Sequence, residues 1–325
     1  IPLPEGGVHA YIGFADCAHG IITSLDLSEV RKYQGVIDVF TANSIPGKND
    51  ISPTGKNDEP ILAENKILFW GQPLFVVVGK TRDIARKAAR LASVAYESLE
   101  FVPDIRSAES GAAALVSPSL QLKNGDVDKA LIGAPRRIQG EIEIGGQDHF
   151  YLEGQIAMTI PGEDNDVTVF SSTQHPSEVQ HMVSKALAIP NHSVRVEVRR
   201  MGGGFGGKET QSNQFAVLCA LAATRNNCAV KLRLDRDDDM ICTGKRHDFI
   251  GRYDVGFDQY GKILGVDVQL SARCGYSSDL SGPVTDRALF HVDNCYFFPT
   301  ARLNSFPLKT NTVSNTAFRG FGGPQ

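Results

Sequence analysis

The segment RRMGGGFGGKET, residues 199–210, sets five glycines around Phe205 in the six positions 202–207. Glycine loses more conformational freedom on folding than any other residue, and a run of six residues is too long for a simple turn. A loop this bare is expected to lie against a large ligand that touches the main chain. The segment sits between strand-like and helix-like sequence, so its N–H groups lead into a helix start, where an anionic group is well received. Two side chains nearby could act beside such a ligand. Phe205 could lie along a flat or bulky group. Glu209 places a carboxyl in the first turn of the next helix, an ordinary position for an acid. Elsewhere, Gln174 in SSTQHPSE stands just before Pro176, between strand-like and helix-like sequence, where a short loop holds a neutral amide firmly.

Two phosphate-binding patterns match in part. Gly202, Gly204 and Gly207 satisfy G-x-G-x-x-G. The strand before a dinucleotide loop is buried on both faces and almost wholly apolar, whereas SVRVEVRR alternates Val194, Val196 and Val198 with Arg195, Glu197 and Arg199. Gly202 to Lys208 also gives G-x-x-x-x-G-K, but Glu209 stands where a Ser or Thr hydroxyl should meet magnesium. Without a phosphate to reach, Lys208 is expected to matter little.

The elements that must position these residues can be read from periodicity. QPLFVVVGK (72–80) is a buried-strand pattern. The following TRDIARKAARLASV predicts a helix capped by Thr81, with Ile84, Ala88, Leu91 and Ala92 on its buried face. AYESLE returns as a strand, and residues 41–60 are a Pro-, Gly- and Asn-rich loop. HPSEVQHMVSKALAI predicts a helix opened by Pro176, with Val179, Met182, Val183, Ala186 and Leu187 as its apolar stripe. QSNQFAVLCALAAT predicts a second, largely buried helix. Alternating strands flank these helices and continue to TARLNSFPLKT, so the fold class is α+β with mixed and antiparallel sheets. Residues 1–105 form one α/β unit, 106–135 a linker of weak periodicity, and 136–325 a second domain.

Composition narrows the function classes. With 325 residues, 42% of them hydrophobic, the chain can bury full cores, and a net charge of −4 gives no electrostatic case for nucleic acid. No apolar run is long enough for a membrane span. The six cysteines include no C-x-x-C pair, which argues against zinc or iron–sulfur ligation and fits a reducing cytoplasm. His149, His175, His181 and His247 lack metal-site spacing and read as structural. RDDDM (236–240) reads as a solvated turn.

Taken together, RRMGGGFGGKE, GGQDHFYLEGQ, SSTQHPSE, DRDDDM, GKRH and NTAFRGFGGPQ resemble the molybdenum-binding portion of the xanthine dehydrogenase/oxidase and aldehyde oxidase family, over essentially the whole chain. The likeness points most to bacterial xanthine dehydrogenases, whose molybdenum subunit is a separate chain. It implies a small α/β hammerhead domain followed by the N-terminal part of the molybdopterin-binding portion. It further implies a molybdenum cofactor (molybdopterin), contacted by Gln174 at the apical oxo ligand and by Gly204, Phe205, Gly206 and Arg319. Glu209 and Arg287 would recognise a purine, and Phe321 would form one wall of a flat slot around it.

The resemblance implies hydroxylation of hypoxanthine and xanthine with oxygen from water, or alternatively of an aldehyde or another N-heterocycle. A non-catalytic cofactor-binding module is the reading from a different class. The family's general-base glutamate lies in a G-E-P-P-type motif that this sequence does not contain. The remaining C-terminal half of the molybdenum subunit, and an iron–sulfur/FAD subunit carrying 2Fe-2S and FAD, are the implied partners in an oligomeric enzyme. The fragment alone is expected to be inactive.

Overall fold

A computed structural model describes all residues, 1–325. The chain divides into two compact units, each assembled from separate stretches: residues 1–101, 149–244 and 311–313 in the first, and 102–148, 245–310 and 314–325 in the second.

The first unit is built on a seven-stranded mixed sheet. Its order is Val194–Glu197, Val167–Ser171, Ile156–Pro161, Val230–Arg233, Val8–Phe14, Pro73–Gly79 and Val36–Thr41. Strands from the first hundred residues therefore continue the sheet that carries the glycine loop, with Val8–Phe14 pairing in parallel with Val230–Arg233. All residues of Pro73–Gly79 are buried, as the apolar run predicts. Helix Pro176–Leu187 begins at its proline and buries Val179, Met182, Val183, Ala186 and Leu187. Helix Ser212–Asn226 is sealed over most of its length and packs with it in one apolar core. Thr81 caps helix Arg82–Ala89 by accepting from the Ile84 N–H. Its buried face is Ala85, Ala88 and Ala89, however, and Leu91 lies exposed beyond the helix end. A small antiparallel sheet of Lys66–Ile67, Gly20–Asp26 and Ser93–Ser98 completes this unit.

The second unit holds a five-stranded sheet ordered Leu120–Asn124, Ala301–Lys309, Ile263–Gly275, Phe249–Phe257 and Arg136–Ile144. Helix Ser281–Phe290 buries Val284, Ala288 and Leu289. The expected linker at 106–135 is corrected here. It contains most of helix Ile105–Ser110, strand Leu120–Asn124 paired to Ala301–Lys309, and helix Val127–Gly133. Short elements with few buried residues leave little periodicity to read. No helix is long and apolar enough to cross a membrane, and none of the six cysteines forms a disulfide.

Candidate functional site

In the first unit the glycine loop joins strand Val194–Glu197 to helix Ser212–Asn226. Much of its bareness is imposed from within the protein. A Cβ on Gly202 would stand 2.5 Å from Glu153 Cβ, on Gly203 3.1 Å from Tyr151 Cβ, on Gly204 2.6 Å from Gln174 Oε1, and on Gly207 2.5 Å from His149 Cγ. The protein's own packing thus demands these four glycines, whatever ligand lies against the loop. Gly206 is different. It is buried at φ +102°, a backbone conformation that side chains rarely adopt. Phe205 lies at φ +55° and is nearly half exposed. A bulky residue held there stores strain of order 1 kcal/mol or more, and such outliers cluster at ligand sites. None of the N–H groups of Gly203, Gly204 and Phe205 reaches a backbone carbonyl.

Gln174 is locked onto this loop. Its Oε1 accepts from the N–H of Gly206 at 2.8 Å and from that of Lys208 at 3.3 Å, while its own N–H donates to the Lys208 carbonyl at 2.8 Å. Because both side-chain partners are donors, the amide oxygen must face the loop, and the NH₂ group is left to donate elsewhere. Pro176 opens the adjoining helix and holds the turn short.

Lys208, expected to matter little, has a defined place beneath the loop. Its side chain is fully sealed, and Nζ donates to the Glu153 carbonyl at 2.6 Å and to Ser172 Oγ at 2.8 Å. The carboxylate of Glu153 accepts from the Gly202 N–H at 2.9 Å and from Ser172 Oγ at 2.6 Å. Burial works against ionisation of Glu153, but these donors and Lys208 outweigh it and hold the acid below its ordinary pKa. Glu153, Ser172 and Tyr151 support the loop without being singled out by the sequence reading. The available signal was a glutamate and a glutamine set among apolar neighbours in HFYLEGQIAM. Asp239 is likewise no solvated turn residue. It lies buried in helix Arg236–Cys242 and accepts from Tyr151 Oη at 2.6 Å and the Gln155 N–H at 2.7 Å.

Glu209 is half-buried at the end of the loop. Desolvation raises its pKa above the ordinary carboxylate value, with Glu178 adding to the rise and His175 opposing it. His149 is buried, packed on Gly207 and stacked on Tyr151.

Arg287, Arg319 and Phe321 belong to the second unit. The loop at 318–323 repeats the backbone strain of the first. Phe321 lies at φ +48°, between Gly320 at +98° and Gly322 at +90°. Gly322 packs flat on helix Ser281–Phe290, where a Cβ would overlap the Val284 carbonyl. That contact fixes Phe321 beside the helix bearing Arg287. Arg287 is exposed and forms no pair with Asp286. The Arg319 carbonyl accepts from Arg246 Nη2 at 2.9 Å, and the Arg246 guanidinium lies 3.9 Å above the Phe318 ring.

Residues 111–325 match the family model of the molybdopterin cofactor-binding domain, and residues 1–100 match the a/b hammerhead domain of aldehyde oxidase and xanthine dehydrogenase. The chain belongs to this family. It is 40% identical over 327 residues to the xanthine dehydrogenase/oxidase of Gallus gallus, spanning all of this chain and 24% of that protein. It is 42% identical over 308 residues to the xanthine dehydrogenase of Dictyostelium discoideum, spanning 95% of this chain and 22% of that one. The chain thus covers about a quarter of the length of these relatives. The aldehyde oxidoreductase of Desulfovibrio gigas superposes with a TM-score of 0.91 at 25% identity, over 99% of this chain and 37% of that one. The fold class expected from the motifs, a hammerhead domain followed by a molybdopterin-binding domain, is therefore the one found. The geometry fits such a cofactor: an outward amide donor on Gln174, N–H groups free of backbone partners at 203–205, and an exposed aromatic ring on Phe205.

Proposed function

We propose that this chain forms part of the molybdenum site of a purine hydroxylase acting on hypoxanthine and xanthine. The observation that carries the cofactor side is the fixed amide of Gln174, which keeps a donor pointed away from the glycine loop. Gln174, Gly204, Phe205, Gly206 and Arg319 would hold the molybdopterin. That group, when bound, supplies the redox chemistry and the water-derived oxygen. Glu209, Arg287 and Phe321 would hold the purine: Phe321 against the ring face, Glu209 on ring nitrogens, and Arg287 against negative charge growing on a purine oxygen. The raised pKa of Glu209 supports this reading, since a carboxyl that keeps its proton more readily can donate as well as accept.

The general base, the 2Fe-2S and FAD centres, and the rest of the molybdenum portion would come from other segments or subunits of a cytoplasmic, oligomeric enzyme. The second reading is an aldehyde or another N-heterocycle as substrate, and the likeness to Desulfovibrio gigas aldehyde oxidoreductase supports the aldehyde. Arg287→Met in the complete enzyme separates the two. On the purine reading it costs xanthine kcat/KM about 3 kcal/mol, roughly a hundredfold, by the usual worth of a charge-stabilising contact. Small aldehydes need no such contact and lose far less. Equal losses on both substrates would make Arg287 architectural.

A further inference from the structure

The ammonium of Lys208 lies beneath the glycine loop, sealed from solvent, with a rigid set of partners that no phosphate-binding pattern explains. It donates to the Glu153 carbonyl and to Ser172 Oγ, stands 3.5 Å from the Glu153 carboxylate, and lies 4.6 Å from the centroid of the Tyr151 ring. Glu153 simultaneously grips the start of the loop, donating its N–H to the Gly202 carbonyl at 3.1 Å and accepting from the Gly202 N–H at 2.9 Å. Both ends of residues 202–208 are thus tied to one residue, and Gln174 holds the middle. Tyr151 is fixed in turn by its hydroxyl, which donates to buried Asp239.

We propose that Lys208 is a positioning residue: its buried ammonium closes a clasp on Glu153 and Ser172 that holds the strained Phe205–Gly206 backbone in its cofactor-binding shape. The inference rests on the molybdopterin reading for what the loop binds, but the clasp itself is independent of it. A buried ammonium is a poor device for stability. Desolvation lowers the Lys208 pKa from its ordinary value, and the neighbouring Glu153 and Asp239 only partly offset it. A lysine whose folded pKa is depressed costs the fold stability at every pH below that value, so neutral pH lies within the unfavourable window. Charged groups kept at such a cost are expected to fix one geometry.

The test uses the complete enzyme, with hydrogen exchange of the peptide spanning 200–210, molybdenum per protomer and melting temperature as readouts. Lys208→Met should speed exchange in that peptide at least about tenfold and leave helix Ser212–Asn226 unchanged, as expected for a local opening. Molybdenum should fall several-fold, with the melting temperature within a few degrees of the parent. A merely architectural lysine would instead lower the melting temperature in step with the exchange. Should Lys208→Met not accumulate, Ser172→Ala removes one acceptor and should give a smaller acceleration with the same pattern. Parent-like exchange in both variants overturns the clasp. Accelerated exchange with full molybdenum overturns its positioning role, unless Gly206→Val also keeps its metal, in which case the failure lies with the cofactor reading.

Discussion

Gln174 Oε1 accepts from the Gly206 N–H at 2.8 Å, and this one bond decides which way the amide points. With the oxygen committed to the loop, the nitrogen is the only part of the side chain left for a ligand. Gln174→Glu keeps an acceptor for Gly206 but removes the outward donor. It should therefore preserve the melting temperature while impairing molybdenum loading and turnover in the complete enzyme. Gln174→Leu strips both functions and leaves the part-buried loop N–H groups unpaired, which should cost about 1–3 kcal/mol of stability as well. Denaturant titration of the two variants, alongside metal content, checks the separation.

Gly204 and Gly206 should respond to alanine for different reasons. At Gly204 the obstacle is the Gln174 side chain, 2.6 Å from the missing Cβ. Trimming Gln174 to alanine should relieve part of the stability loss of Gly204→Ala, giving a coupling of about 0.5–3 kcal/mol in a double-mutant cycle. At Gly206 the obstacle is φ +102°, which no trimming of a neighbour can repair, so Gly206→Ala should keep its backbone-strain cost in a Gln174→Ala background, with any coupling there confined to the lost Gly206 N–H bond to Gln174.

Glu209 should make the protein slightly more stable when neutralised. Its folded pKa is raised by desolvation, so the ionised form is penalised in the folded state above the ordinary carboxylate range. Glu209→Gln should raise the melting temperature near neutral pH. The gain should fade as pH falls below that range, where the acid is protonated in both states. A gain independent of pH would assign the effect to packing.

His247 gives the second unit an acid sensitivity of opposite origin. The ring is fully buried, its Nε2 lies 2.7 Å from Ser281 Oγ, and its Nδ1 has no partner. Burial, with help from the Arg273 charge, pushes its pKa down to about 3. The unfolded chain takes up a proton below about pH 6.5 while the folded chain does not, so stability is lost at roughly 1.4 kcal/mol per pH unit on acidification toward the folded value. His247→Asn should flatten that slope between pH 6 and 4 in equilibrium unfolding, whatever it does to stability at neutrality.

Much of this architecture is legible in the residues. Helices Pro176–Leu187 and Ser212–Asn226 announce themselves through apolar stripes, and the position of Gln174 follows from Pro176 opening the helix after it. What stays hidden is long range. Lys208 meets a residue 55 positions away, so its ammonium reads as idle when only the loop is considered. The bareness of Gly202, Gly203 and Gly207 reads as space for a ligand because Glu153, Tyr151 and His149 approach from a distant stretch. Residues 106–135 read as a linker because strand Leu120–Asn124 sits at the edge of its sheet, with much of its surface exposed. Its alternation of Leu120 and Leu122 with Gln121 and Lys123 spans too few residues to stand out.

The central claim, that residues 202–207 serve a molybdopterin and not a nucleotide, is tested most directly by the molybdenum content of the complete enzyme carrying Gly206→Val. A β-branched residue cannot take φ +102° without moving the loop, and the loop contributes little to the apolar core. The account expects molybdenum to be lost from an enzyme that still melts near the parent temperature, and neither ATP nor NAD to shift the melting temperature of residues 1–325 by themselves. Stoichiometric molybdenum in the folded variant, or a saturable shift of residues 1–325 with either nucleotide, would contradict it.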